Sequence, residues 1–136
     1  MISQRSTVAR AGRFVAVLVA FWALQQVPVA RAETSPRTRE EISFLLSYLQ
    51  SSGCTFDRNG SQYDSAKAAD HLRYKYRALD SRGDIGSAEE FVDKAASVSS
   101  ITGRAYTVAC GSDPARPTGE WLRALLLGHR AAFAPH

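Results

Sequence analysis

Two stretches of the chain carry side chains suited to hold a small anionic or glycan-like ligand. Arg58 and Asn59 lie in a turn directly before a predicted helix, and His71 and Lys75 lie one turn apart on one flank of that helix. A helix N-terminus offers unpaired N–H groups and a partial positive charge, which both attract anions. Nearby hydroxyl groups add further donors and complete the candidate binding set: Arg58, Asn59, His71, Lys75, Ser99, Ser100 and Thr102.

The same side chains also have a purely structural explanation. Asp64 is placed to cap the helix, where its carboxylate competes with any bound anion. Arg58 would then pair with a carboxylate, while His71 and Lys75 would hold neighbouring loops in place. Because buried polar networks more often fix loops than bind ligands, we favour this explanation over a ligand pocket, and both stay open at this point.

Catalysis has less support than binding. His71 can be paired with Ser99 or Ser100, but an acid to orient the imidazole is missing. Asp70 points about 100° away from His71 around the helix, and Asp64 lies about 10 Å away along it. The sequence contains no G-x-S-x-G, S-x-x-K or H-E-x-x-H motif. We therefore predict no catalytic residue, no metal ligand and no cofactor.

Residues 1–32 have the pattern of an export signal. Three arginines precede an apolar run at 14–24 (FVAVLVAFWAL), and Ala30 and Ala32 are small residues before a cleavage point. The run spans about 16 Å as a helix, about half of the hydrocarbon core of a membrane. We predict cleavage after Ala32, export by the general secretory route to the periplasm, and no stable membrane insertion of the mature chain.

The net charge depends on that cleavage. The whole chain has 17 Lys+Arg and 13 Asp+Glu, a formal charge of +4. Four of the basic residues and none of the acidic ones lie in 1–32, so the mature chain is neutral. Nucleic-acid binding draws on an excess of cations that displace counterions from phosphates. We therefore predict no nucleic-acid partner, and we expect any positive patch to be local, around Arg58, Lys75 and Arg104.

Apolar periodicity predicts one α+β domain that is mostly α. A flexible lead is expected at 33–39, the globular domain at 40–130 and a frayed tail at 131–136. Four helices and a short two-stranded β element are predicted: helices at 40–49, 64–79, from Ala88 after a Ser87 capping box, and from Thr118, with strands at 54–56 and 106–110.

Cys54 and Cys110 are the two cysteines of the chain. An even count in an exported protein favours a disulfide, which would join the two predicted strands. The sequence has no Cys-x-x-Cys motif, and two thiols alone do not complete a four-ligand metal site, so a metal pair or a reactive thiol is the weaker alternative. Closing so long a loop predicts about 4 kcal/mol of stabilisation.

Three stretches carry a resemblance to a known family. They are 52–60 (SGCTFDRNG) with Tyr63 following, 68–76 (AADHLRYKY), and 87–91 (SAEEF) followed by 95–106 (AASVSSITGRAY). Together they resemble the YfeK-like family of small exported bacterial proteins of unknown function, over about residues 40–130. The resemblance implies a periplasmic, α-rich single domain, and it supplies no activity.

We therefore predict a monomeric, non-enzymatic binding or accessory domain that recognises a small polar ligand or an envelope protein. One alternative is a periplasmic inhibitor of a cell-wall lytic enzyme, and the other is a small hydrolase that uses His71. Four tyrosines are candidates for an aromatic binding face: Tyr63, Tyr74, Tyr76 and Tyr106.

Overall fold

A computed structural model describes residues 33–134, which form helices packed on a small antiparallel sheet. The helices are α1 (Pro36–Ser51), α2 (Ser65–Asp80), α3 (Ala88–Phe91), which continues as a π-helical turn (Val92–Ala96), and α4 (Thr118–Ala132). The strands are β1 (Thr55–Arg58), β2 (Ser61–Tyr63), β3 (Thr107–Ala109) and β4 (Arg116–Pro117). The predicted α+β class, mostly α, is confirmed. The predicted export signal at 1–32 and the last two residues of the predicted tail lie outside the described residues.

The first helix begins earlier than apolar periodicity predicts. It starts at Pro36, so the predicted flexible lead at 33–39 is corrected: its second half is the first turn of α1. Ser35 caps this turn, because its Oγ accepts a hydrogen bond from the Thr38 N–H at 3.1 Å. The proline ring presets the helical φ at a position where no N–H is needed. Thr34, just before the cap, is already buried.

Two caps that the sequence predicts are confirmed. The Asp64 carboxylate accepts a hydrogen bond from the Lys67 N–H at 2.8 Å and starts α2. The Ser87 hydroxyl accepts one from the Glu90 N–H at 3.1 Å and starts α3. Because each cap fixes where its helix begins, it also fixes which residues the helix turns toward the core.

The core lies between the helices and the inner face of the sheet. Helix α1 buries one stripe, and Phe91 fills the space beneath α2, where the Tyr76 ring meets it edge-on with centroids 5.7 Å apart. The residues that form the centre of this core are fully buried: Ile42, Leu45, Leu49, Phe91, Val92 and Leu122. Among residues 33–134, no helix combines the length and the apolar character needed to cross a membrane.

The sheet has four strands in the order β2-β1-β3-β4, two more than the sequence predicts. The outer strands are short, and β4 consists of Arg116 and Pro117 alone, so neither shows the alternation by which strands are recognised. β1 and β2 are joined by the two-residue turn Asn59-Gly60, with φ values of 55° and 85°. Those angles are typical of a type I′ hairpin, which favours Asn and Gly.

The Cys54–Cys110 disulfide is present, as predicted, with the two Cα atoms 4.4 Å apart. It follows the Thr55–Ala109 pair of the β1–β3 ladder, so it ties the start of β1 to the end of β3. The disulfide therefore joins β1 and β3. These strands are far apart in sequence, and no local sequence signal sets their register.

Helix α4 extends beyond the point where fraying is predicted. It ends at Ala132, so the first two residues of the predicted tail at 131–136 are helical. His129 stacks on Phe44 of α1 with ring centroids 4.0 Å apart, and its Nε2 lies 3.0 Å from a Glu40 carboxylate oxygen. These contacts anchor the last turn of α4 to α1, which local sequence cannot indicate.

Candidate functional site

The predicted binding residues divide into two groups in the structure. Arg58 and His71 line one cavity, between the β1–β2 hairpin and α2, and Lys75 lies beside it against the ring of Tyr106. The other predicted members do not line this cavity: Asn59, Ser99, Ser100 and Thr102.

Three residues of the second group bind one another. Asn59 Nδ2 donates to Ser99 Oγ at 3.1 Å, and Thr102 Oγ1 donates to Asn59 Oδ1 at 2.6 Å. Ser99 Oγ also accepts from the N–H groups of Ile101 and Thr102, each at 3.3 Å. The side-chain hydrogen bonds of Asn59 with Ser99 and Thr102, called the staple below, therefore join the β1–β2 turn to the loop at 97–105. Ser100 is exposed on the same loop.

The cavity has a volume of about 250 Å³ and a mainly apolar wall. Phe56 and Arg58 are two residues apart on β1, so their side chains point to the same side of the strand. Ala68 and Leu72 lie one helical turn apart on α2, and His71 lies on the flank beside them, about 100° around the helix from Leu72. The regular periods of one strand and one helix therefore place a polar cluster directly above an apolar floor.

Arg58 is the centre of the polar cluster. Its Nη1 lies 3.0 Å from each ring nitrogen of His71, and its Nη2 donates to the Tyr63 hydroxyl at 3.3 Å. His71 Nε2 also lies 3.3 Å from the Tyr106 hydroxyl. A guanidinium has only donors, so Arg58 favours the neutral imidazole, in which one ring nitrogen of His71 can accept a hydrogen bond. The structural expectation that Arg58 pairs with a carboxylate is wrong.

The basic groups of this region lower the pKa values of His71 and Lys75. Burial lowers the pKa of His71, and the nearby charges of Arg58 and Lys75 lower it further. Burial also lowers the pKa of Lys75, again with a contribution from Arg58. The Lys75 ammonium lies 5.2 Å from the centre of the Tyr106 ring and donates to the Val98 carbonyl at 3.1 Å. The cluster is therefore positive overall and partly desolvated.

No carboxylate neutralises this charge within the described part of the chain. Arg58, Lys67 and Lys75 are absent from the ion pairs found in residues 33–134. Asp57 also lines the cavity; its carboxylate accepts a hydrogen bond from the Gly60 N–H at 3.0 Å and forms no ion pair with these cations. The cavity therefore combines an apolar floor with cations that have no ion-pair partner among the described residues, an arrangement that favours an anion.

Two further residues of the cavity were missed by sequence reasoning. Lys67 lies one helical turn before His71, so the periodicity of α2 contained the signal that places it on the same flank. Thr118 comes from the N-terminus of α4, far away in sequence, and nothing local points to it. This side chain is only 1% exposed, and among the described residues its Oγ1 is a buried polar atom without a hydrogen-bond partner.

The acids around His71 are engaged elsewhere. Asp64 caps α2, and Asp70 forms an ion pair with Arg73 at 3.2 Å. The Ser99 hydroxyl is held by Asn59 and by the loop backbone. Among the described residues, Asp64 and Asp70 are therefore not placed to orient His71 as a Ser–His hydrolase requires, and Ser99 is not a free nucleophile. Residues 33–134 contain no group of three His, Cys, Asp or Glu side chains close enough to hold a metal ion.

Comparison with known proteins gives a family and no activity. Residues 36–130 match a family described as "Family of unknown function (DUF5329)". The uncharacterised protein YfeK of Salmonella typhimurium is 40% identical over 78 residues, which cover 57% of this chain and 63% of that protein. The match thus spans less than two thirds of the relative. No solved structure matches the chain significantly. Because the family match extends over most of the chain and agrees with the resemblance seen in the sequence, the chain belongs to the DUF5329 family.

Proposed function

We propose that this chain is a non-enzymatic binding domain, exported to the bacterial periplasm, whose cavity takes a small anion with an apolar body. The observation that carries the proposal is that Arg58 and Lys67 lie with the His71 ring above an apolar floor and form no ion pair within residues 33–134. Support for export comes from the pattern of residues 1–32 and from the disulfide, which is typical of oxidising compartments.

The chemistry of the cavity fits a carboxylate, sulfonate or phosphate group. Arg58 and Lys67 supply charged donors, and charge-assisted hydrogen bonds to anions are stronger than those between neutral groups. The Tyr63 hydroxyl lies beside the guanidinium and offers a further donor. An anion placed here would relieve the repulsion among the cations, while an aliphatic or aromatic body would cover Phe56 and Leu72.

We expect hexanoate to bind this cavity and the Arg58→Ala variant to bind it at least about tenfold more weakly. A hydrogen bond to a charged group contributes about 1.5–3 kcal/mol, and 1.4 kcal/mol corresponds to a factor of ten. Isothermal titration calorimetry at about pH 7.5 measures the Kd. The matched control is Arg82→Ala, because Arg82 is an exposed arginine that pairs with Asp84 outside the cavity.

One neutral and one positively charged probe test whether the negative charge of hexanoate is needed for binding. Hexan-1-ol and hexylammonium have the same apolar body as hexanoate but lack the negative charge. The proposal predicts that both bind more weakly than hexanoate. Equal binding of hexanoate and hexylammonium, or equal loss of affinity in the Arg58 and Arg82 variants, would contradict it. Thermal melts of both variants separate loss of binding from loss of folding.

Binding of a permanently charged anion is expected to strengthen as the pH falls. The pKa of His71 lies below its usual value of 6.5, so the ring is neutral at pH 7 and gains a proton only at lower pH. That proton adds a positive charge beside the bound anion, worth about 1 kcal/mol or roughly fivefold in affinity. Hexanesulfonate, which stays ionised, should bind more tightly as the pH falls from 6.5 through the lowered pKa of His71 than it does at about pH 7.5.

The same proton affects the stability of the ligand-free protein with the opposite sign. The folded state binds this proton less readily than the unfolded state does. The contribution of His71 to the free energy of unfolding is therefore complete above pH 6.5 and is lost as the pH falls through the lowered pKa. His71→Gln should make both hexanesulfonate affinity and protein stability less dependent on pH in this range. Tighter binding of hexanesulfonate at the higher pH would contradict the assignment of His71 to the site.

A further inference from the structure

We propose that the loop at 97–105 is a preformed docking loop for a protein partner whose surface has an apolar pocket with an acidic rim. The proposal does not depend on the ligand of the cavity. It rests on three observations: an exposed apolar apex, a rigid frame around it, and a local excess of positive charge.

Ile101 stands at the apex of the docking loop. Its side chain is 94% exposed, which makes it the most exposed large apolar residue among the described part of the chain. Val98, at the base of the loop, is 38% exposed. A single exposed isoleucine needs no explanation on a surface that is otherwise ordinary. Ile101 is suited to bind a partner only if the loop around it is held in one conformation, because ordering a flexible loop costs binding free energy.

The backbone of the docking loop is closed by its own hydrogen bonds. The Ser99 N–H donates to the Arg104 carbonyl at 2.9 Å, and the Gly103 N–H donates to the Ser99 carbonyl at 2.8 Å. A β-bridge joins Val98 to Ala105 at the base. Gly103 has a φ of +71°, a left-handed conformation that glycine adopts without strain. The loop thus forms a small hairpin with Ile101 at its turn.

Two neighbouring elements hold this hairpin from outside. The staple of Asn59 with Ser99 and Thr102 ties it to the β1–β2 turn, and the Lys75 ammonium ties its base to α2 through the Val98 carbonyl. Binding then costs little loop entropy, since the conformation is already fixed. An apolar side chain held on such a frame can enter a pocket of a partner without first having to be ordered.

The charge around the docking loop points to an acidic partner. No Asp or Glu occurs between Asp93 and Asp113, while Arg104 is exposed in the loop and Lys75 supports its base. Residues 33–136 are neutral as a whole, so this end of the domain is more positive than the rest. Complementary charge at the rim of an interface favours encounter and selects partners, whereas the apolar anchor supplies affinity.

Site-specific photo-crosslinking in the native bacterium tests the proposal. The full-length gene carries the crosslinker at position 101, or at the matched control position Leu127, which is exposed on α4. The proposal predicts one protein adduct at position 101 that is absent at position 127. Its purified partner should then bind Ile101→Ala at least tenfold more weakly than the unchanged protein. Arg104→Glu should also weaken binding, and more strongly at low salt.

A second variant separates rigidity from contact. Thr102→Val removes the hydrogen bond to Asn59 but keeps Ile101, so a loosened loop should bind the partner severalfold more weakly. An adduct with a second copy of the chain, an adduct with lipid, or equal adducts at both positions would overturn the proposal. Unchanged affinity of Ile101→Ala for the captured protein would overturn it as well.

Discussion

Removal of the Cys54–Cys110 disulfide is expected to lower the free energy of unfolding by about 4 kcal/mol. The bridge joins residues 56 positions apart, so it removes much of the conformational freedom of the unfolded chain. A small domain is stable by only about 5–15 kcal/mol in total. The change therefore takes away a large share of the stability, although no helix loses a contact with the core.

The measurement compares urea unfolding of the oxidised protein with that of the Cys54→Ser/Cys110→Ser double variant. The double variant avoids a free thiol that would form other disulfides. The expected result is a much lower midpoint together with a larger dependence on urea, because the unbridged unfolded chain exposes more surface. A difference of less than about 1 kcal/mol would show that loop entropy is not what the bridge contributes.

The second large effect is expected at Arg130, which holds the end of α4 to the helices beside it. Its guanidinium donates to both carboxylate oxygens of Glu41 at 2.8 Å and also pairs with Glu89. Glu41 is buried on α1, so removing Arg130 leaves a buried carboxylate whose remaining cationic partner is the exposed Arg37. Breaking a fully buried pair costs about 3–5 kcal/mol; because Arg130 is partly exposed, we expect about 2–3 kcal/mol for Arg130→Met.

The pH dependence identifies the cause of that loss. The hydrogen bond from Arg130 is the main reason that the pKa of Glu41 lies below its usual 4.5. The stabilisation is therefore complete above pH 4.5 and is lost as the pH falls through the lowered pKa. The difference between the unchanged protein and Arg130→Met should shrink below about pH 4. A difference that stays constant over the acidic range would contradict the ion-pair explanation.

Two variants serve as controls for Arg130→Met. Arg37 also contacts Glu41, at 3.3 Å, but its side chain is 76% exposed, so Arg37→Met should cost less than about 1 kcal/mol. In Arg130→Met/Glu41→Gln the buried charge is gone as well, so part of the lost stability should return. If the double variant is no more stable than Arg130→Met, the buried charge is not the source of the loss.

Much of the fold could be predicted from local patterns, because they report which face of an element is buried. The stripe of Ile42, Leu45 and Leu49 predicts α1, and an even cysteine count in an exported chain predicts the disulfide. The start of α1 was missed, because it depends on capping by Ser35 and not on apolar spacing. Strands β2 (Ser61–Tyr63) and β4 (Arg116–Pro117) were missed because neither alternates polar and apolar residues, whereas β3 lies within such an alternation at 106–110.

The candidate site could be predicted only in part. Arg58 and His71 meet in the structure, because strand β1 and helix α2, which carry them, are separated in the chain by one short strand. Asn59, Ser99 and Thr102 have the same donor chemistry, and sequence cannot tell whether such groups face a ligand or one another. Here they face one another. Their contribution is to hold the docking loop beside the cavity.

A second cavity provides the strongest internal alternative for anion binding. It has a volume of about 300 Å³, lies between α1 and α2, and carries Arg39, Arg73 and Arg77 above an apolar floor that includes Ile42 and Leu46. Arg73 is already engaged by Asp70 and by Gln50. In the cavity at Arg58 the cations form no ion pair within the described residues, which is why we place the ligand there.

The central claim is that a small anion binds between the β1–β2 hairpin and α2, and intermolecular nuclear Overhauser effects test it most directly. With hexanesulfonate bound to the isotope-labelled protein, the alkyl protons of the probe should show contacts to the methyl groups of Ala68 and Leu72, together with shifts of the His71 ring. Contacts to the methyl groups of Ile42 and Leu46, or no contacts with Ala68 and Leu72 at saturation, would contradict the claim.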